Sequence, residues 1–166
     1  DLHSFPTRRS SDLSVAGCVP IIRALRAGFT SNKITGVYGI LNGTCNYILT
    51  QMRVSGRNFD DVLKEAQAKG YAEADPAADV EGTDAGHKTA ILAAIAYGVK
   101  PNFKGVKLKG ITKLTDVDIK FAGKLGYKIK LLGISRDHGG KIVQSVEPCL
   151  VPADDPLGSI EDVYNA

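Results

Sequence analysis

The stretch GYAEADPAADVEGTDAGHK, residues 70–88, places Glu73, Asp75, Asp79, Glu81 and Asp84 within twelve positions and follows them with Lys88. Carboxylates accept hydrogen bonds from an amine or a hydroxyl, and a lysine with a tuned pKa can give or take a proton. Three readings of such a run compete. It can be a solvated loop ahead of a helix, a metal centre, or a polar substrate site. The spacing argues against the metal centre. A calcium loop needs ligands at alternate positions around a central glycine, and His87 has no second histidine at a zinc spacing.

The helix that carries the lysine decides how the remaining two are weighed. TDAGHKTAILAAIAYG predicts a helix from Thr83, capped by Thr83 or Asp84, and from Thr89 to Tyr97 it is apolar nearly all round. Asp84 and Lys88 are one turn apart and share a stripe with Ile91, Leu92 and Ile95. A charge on a core-facing stripe is costly unless it is paired. That placement favours a substrate site, fed by an acidic loop held on a rigid scaffold. A simple ion pair at a helix start stays open.

Around this helix the pattern predicts further elements. VPIIRALRAGF predicts a helix opening at Pro20, and KITGVYGILNGT a buried strand ending in a turn at Asn42-Gly43. TCNYILTQMRVSG and NFDDVLKEAQAKG predict two helices, the second capped by Asn58 and stopped by Gly70. GVKPNFKG reads as a loop, DVDIKFAGKLG as a short helix, and YKIKLLGISRD and KIVQSVEPCLV as strands joined by a hairpin at DHGG. PADDPLGSIEDVYNA reads as loop. The expected fold class is α+β, with helices packed on one face of a mixed, largely antiparallel sheet. No G-x-G-x-x-G motif follows a strand, so no dinucleotide cradle is predicted.

Composition narrows the function classes. A net charge of +3 over 166 residues is too small to argue for nucleic acid or a membrane surface, and no run of about 18 apolar residues exists to span a bilayer. Cys18, Cys45 and Cys149 form no C-x-x-C pair and read as reduced thiols of a cytoplasmic protein. The opening DLHSFPTRRSSDL carries no periodicity and resembles a translated adapter remnant. Residues 1–13 are therefore set apart from the domain expected over 14–166, with a disordered native tail as the alternative.

VYGILNGTCNYILTQM and GYAEADPAADVEGTDAGHKTAILA resemble the two signature stretches of homoserine dehydrogenases. VAGCVPIIRAL, LGYKIKLLGIS and VEPCLVPADDPLGSIEDVYNA extend the similarity from about Ser14 to Ala166. The resemblance implies an oxidoreductase interconverting L-homoserine and L-aspartate 4-semialdehyde with NADP or NAD, on the branch to threonine, isoleucine and methionine. It assigns Lys88 as the catalytic acid/base and Glu73 and Asp84 to the substrate's amino and hydroxyl end. Asp79 becomes a further acid of the pocket, and Tyr71 and the Asn42, Gly43, Thr44 turn surround substrate and nicotinamide. Gly70 matches a glycine at the cofactor. The carbonyls of Val15, Gly17 and Val19 match a site for a monovalent cation such as Na⁺, whose glutamate ligand aligns with Asp12. Cys18 stands where the family has glycine, and Cys45 where it often has threonine. The resemblance further implies a homodimer and a substrate-binding portion truncated at both ends, without the dinucleotide-binding domain. The competing expectation is a non-catalytic α+β dimerisation or interaction module.

Overall fold

In the computed structural model, which describes residues 15–17 and 19–166, the helices pack on a four-stranded sheet. The expectations that concern residues 1–13, Asp12 and Cys18 lie outside the described residues. The strands are β1 (Gly36–Gly39), β2 (Val106–Leu108), β3 (Tyr127–His138) and β4 (Lys141–Pro152), in the order β1-β3-β4-β2. β3 pairs antiparallel with both β1 and β4, whereas β2 runs parallel to β4. This is the α+β, mixed and largely antiparallel arrangement that the sequence pattern predicts. The β3–β4 hairpin turns at Gly139 and Gly140, both at positive φ (67° and 95°), a conformation that glycine adopts without penalty.

The helices are α1 (Ile21–Arg23), α2 (Gly43–Ser55), α3 (Phe59–Ala68), α4 (Ala77–Val80), α5 (Thr83–Tyr97), α6 (Asp116–Lys124) and α7 (Pro156–Ser159). Several differ from expectation. α1 widens into a π turn over Ala24–Gly28 instead of running on as one α-helix. At the expected Asn42-Gly43 turn, Asn42 is the N-cap of α2, its side chain accepting from the Cys45 backbone N–H at 2.8 Å. Neither Thr83 nor Asp84 caps α5; Gly82, at φ 86°, takes that position, and Asp84 sits in the first turn. α4, α7 and β2 were not expected. Elements of three or four residues are too short to display a period.

Successive strand residues point to opposite faces of a sheet. Leu131 and Val146 join the main core with Ile48, Val62 and Ile111, all under the helices. Leu132 and Val151 lie on the reverse face, where Ile40, Leu157 and Ile160 form a second, smaller cluster. The helices are therefore not confined to one face: α7 and the segment after it cover part of the other.

Gly133, in the middle of β3, lets this scaffold close up behind the acidic stretch. A Cβ there would lie 2.4 Å from Thr89 Oγ1 on α5 and 2.6 Å from Leu41 Cδ1. The missing side chain is what allows α5 and the Leu41 segment to meet over the strand. Gly133→Ala is expected to destabilise the fold by about 1–3 kcal/mol through overpacking. Urea unfolding followed by circular dichroism measures this.

Candidate active site

Lys88 sits near the start of α5 with its side chain 24% exposed. Its Nζ donates to Asp84 Oδ2 at 2.7 Å and to the Leu41 carbonyl at 3.0 Å. The i,i+4 spacing supplies the first contact, and the close approach of Leu41 to α5 supplies the second. The amine is thus half withdrawn from water, held by a carboxylate and a carbonyl, with one N–H left to donate.

Asn42 joins this pair to a second carboxylate. Its Nδ2 donates to Asp79 Oδ1 at 2.6 Å and to Asp84 Oδ2 at 2.9 Å, while its Oδ1 caps α2. At 5% exposure Asn42 is nearly buried. Two like charges close together repel, and a shared amide donor offsets part of that cost. Cys45, buried beside them, donates its thiol to the Asp79 carbonyl at 3.2 Å. Burial, with Asp79 and Asp84 adding to it, pushes its pKa far above the ordinary thiol range, so Cys45 is no nucleophile.

These groups open onto a cleft of about 420 Å³. Gly43, Thr44, Gly70, Tyr71 and Val163 complete its walls around Asn42, Asp79, Asp84 and Lys88. Gly70 has φ 73° and open space where a Cβ would stand, so its backbone is accessible from the cleft. The Thr44 hydroxyl donates to the Tyr71 carbonyl at 2.6 Å. Tyr71 also packs edge-on against Tyr47, 4.9 Å between ring centroids, and the Tyr47 hydroxyl is held by Glu65 at 2.7 Å and Lys69 at 2.9 Å. Hydrogen bonds from Lys69, Tyr47 and Arg57 bring the Glu65 carboxyl down to about 2. The aromatic wall therefore has an anchored back.

The acidic run divides by role. Asp79 and Asp84 face the cleft. Asp75 accepts from the Ala77 N–H at 3.1 Å and shapes the turn into α4. Glu81 is exposed. Glu73 is also exposed and does not line the cleft; its backbone carbonyl, not its carboxylate, accepts from Gln67 Nε2 at 3.0 Å. His87 points elsewhere and stacks on Phe103 at 3.8 Å. The three residues that sequence patterning did not single out are Leu41, Asn42 as a clamp, and Val163. Asparagine directly before a helical run is a cap signature that could have marked Asn42.

Val15, Gly17 and Val19 lie on a tight turn in which Ala16 has φ 51° and the Val19 N–H donates to the Ala16 carbonyl at 2.9 Å. The Val19 carbonyl already accepts from the Ile21 N–H at 2.8 Å, whereas those of Val15 and Gly17 accept no hydrogen bond among the described residues. The Asn165 amide lies near Gly17, and its buried Oδ1 finds no partner among the described residues. Neutral oxygens of this kind suit a hard cation. Among the described residues no group of three His, Cys, Asp or Glu side chains could hold a metal ion.

The family model for homoserine dehydrogenase matches residues 20–166. A homoserine dehydrogenase from Neisseria gonorrhoeae is 52% identical over 155 residues, covering 93% of this chain and 36% of the relative. The crystal structure of a homoserine dehydrogenase from Thiobacillus denitrificans superposes with a TM-score of 0.89 at 50% identity, over 91% of this chain and 35% of that one. A hyperthermophilic archaeal homoserine dehydrogenase mutant, in complex with NADPH, gives a TM-score of 0.71 at 32% identity, over 88% of this chain and 40% of that one. The chain therefore spans little more than a third of the length of the relatives it matches.

Asn42→Asp keeps the helix cap but replaces both amide donations with a third negative charge. It is expected to destabilise the fold more than Asn42→Ala, which removes a cap worth about 1 kcal/mol. Parallel urea titrations of the two variants read this directly.

Proposed function

Because the chain belongs to the homoserine dehydrogenase family, we propose that its cleft is the substrate site of an NAD(P)-dependent enzyme that interconverts L-homoserine and L-aspartate 4-semialdehyde. The observation that carries this reading is the clamp in which Asn42 holds Asp79 and Asp84 together and Asp84 holds Lys88 at 2.7 Å. It sets a proton donor beside two carboxylates at the edge of an open cleft.

The nicotinamide cofactor, when bound, supplies or accepts a hydride. The chain's own groups handle the charge and the proton. In the reducing direction, the free N–H of the Lys88 ammonium donates a proton to the substrate oxygen as that oxygen gains charge. In the oxidising direction the same amine takes the hydroxyl proton back. Asp84 and the Leu41 carbonyl fix where that nitrogen stands. Asp79, with Glu73 turning inward from its exposed position beside Tyr71, accepts hydrogen bonds from the substrate's ammonium. Gly70 lets backbone approach the nicotinamide end. The remaining dinucleotide contacts are assigned to the two thirds of the relatives' length that lie outside this match. NADPH is bound in one solved relative, and NADP or NAD is the cofactor expected here.

The proposal has three further parts. The Val15, Gly17 and Val19 carbonyls would hold a monovalent cation such as Na⁺, with Asn165 as a neighbouring oxygen donor. A homodimer would form through the reverse face of the sheet, where Tyr38 and Val143 are 46% and 39% exposed. A cytoplasmic location suits a biosynthetic enzyme; among the described residues no helix is long and apolar enough to cross a membrane.

In the full-length polypeptide, Lys88→Ala is expected to lower kcat by about 10²–10⁴-fold with a much smaller change in KM, since an acid/base acts mainly in the transition state. Steady-state assays with L-homoserine and with the semialdehyde test it, and unchanged turnover would remove Lys88 from that role. Glu73→Gln is expected to raise KM for L-homoserine by the loss of a charge-assisted hydrogen bond worth about 1.5–3 kcal/mol. If KM does not move at constant kcat, Glu73 stays outside the site during turnover.

A further inference from the structure

Lys130 is a buried lysine that the proposed chemistry does not use. It is 2% exposed, on the reverse face of β3. Its Nζ donates to Asn46 Oδ1 at 3.0 Å and to the Ile160 carbonyl. Among the described residues no carboxylate forms an ion pair with it. Glu161, an acid whose charge acts on it, is taken by Arg53 and by Lys128, each at 2.6 Å. Burial lowers the Lys130 pKa to about 8, with Glu161 pulling the other way. Burying an amine against neutral acceptors is unfavourable compared with an apolar side chain of the same length, so its value lies in what it fixes in place.

What it fixes is the segment after α7. Asn46, itself 1% exposed, donates to the carbonyls of Ile160 at 3.3 Å and Tyr164 at 3.2 Å. The Asp162 N–H donates to Thr50 Oγ1 at 3.2 Å. Residues 160–166 are thereby laced along α2 and end in a two-way backbone pair, Ala166 N–H to Ile40 at 3.1 Å and Ile40 N–H to Ala166 at 2.7 Å. Between these anchors, Val163 reaches the cleft, and its carbonyl lies so close to Gly43 that any Cβ there would meet it at 2.4 Å. Ile40 directly precedes Leu41, the backbone acceptor of Lys88, and Asn42, the clamp on both carboxylates. The lacing and the site are two ends of one short piece of backbone.

We propose that Lys130 is a positioning residue: through Asn46 and the Ile160 carbonyl it holds residues 160–166 as a strap that sets the cleft wall at Val163 and the backbone beneath Lys88. The link to turnover rests on the cleft being the substrate site. The strap itself does not.

The test uses the full-length polypeptide and its Lys130→Met variant, which keeps the apolar stem and loses the donors. Three quantities are read: amide hydrogen exchange by mass spectrometry, the rate of Lys88 acetylation by acetic anhydride, and KM and kcat for L-homoserine. Exchange across 160–166 is expected to rise about tenfold or more while β3 and β4 keep their protection. Lys88 labelling should accelerate, and KM should rise by about tenfold with kcat changed far less. Unaltered exchange in 160–166 in a folded variant would overturn the strap. Raised exchange with unaltered Lys88 labelling would overturn the positioning role and leave a purely structural latch. If Lys130→Met does not fold, Asn46→Asp retains an acceptor for Lys130 while deleting both donations to the strap, and the same three readouts apply. A wild-type protein without activity on L-homoserine would sink the functional proposal alone, because exchange and labelling still decide the strap.

Discussion

One asparagine side chain ties the scaffold of this protein to its chemistry. Asn42 has one acceptor oxygen and two N–H donors, and the oxygen and the amide nitrogen are both engaged: the oxygen caps α2, and the nitrogen bridges Asp79 on α4 to Asp84 on α5. Three helices are thus registered against each other by one buried amide. The arrangement works because an amide is neutral. A carboxylate there would repel its partners, and an amine could not cap. Lys88 then enters a site whose negative charge is already spaced and oriented, so its own position follows from Asp84 and Leu41.

How far this could be read from the sequence depends on the range of the interactions. The helical half is legible because α2, α3, α5 and α6 are long enough to show a period, and Asn58 caps where its side-chain chemistry demands. The hairpin is legible because His138-Gly139-Gly140 separates two strand-like runs. The Asp84–Lys88 pair is legible because i,i+4 spacing is a property of one helix. What escapes is set by tertiary contact. β2 has only three residues and is a strand because β4 is beside it. Asp79 is separated from Asp84 by only five positions, yet the reason it faces the same cleft is Asn42, more than thirty residues earlier. Asp75 and Glu81 belong to the same acidic run and do not share its role, a distinction invisible without the fold.

The chain belongs to the homoserine dehydrogenase family, and its fold divides the work between the two faces of the sheet. The similarity covers 93% of this chain and 36% of a curated relative. Within that stretch, the sheet's two faces are used differently. The helix-covered face carries the main core and, through Gly133, permits α5 to lie close enough for Lys88 to reach Leu41. The reverse face carries a small cluster and the buried amine of Lys130, which engages Asn46 and Ile160. Both faces converge on residues 40–42.

That Asp84 and Lys88 occupy a single helix, one turn apart, has a mechanical consequence. Distances within a helix do not change when helices or domains slide past one another, because its backbone hydrogen bonds move with it as a rigid body. The Asp84–Lys88 pair therefore travels as a unit. Asp79 and Leu41, which come from other elements, can shift relative to it. Any opening and closing of the cleft would alter its walls while leaving the spacing of Asp84 and Lys88 along α5 intact. The Leu41 carbonyl is the contact through which such a motion would reach the Lys88 amine.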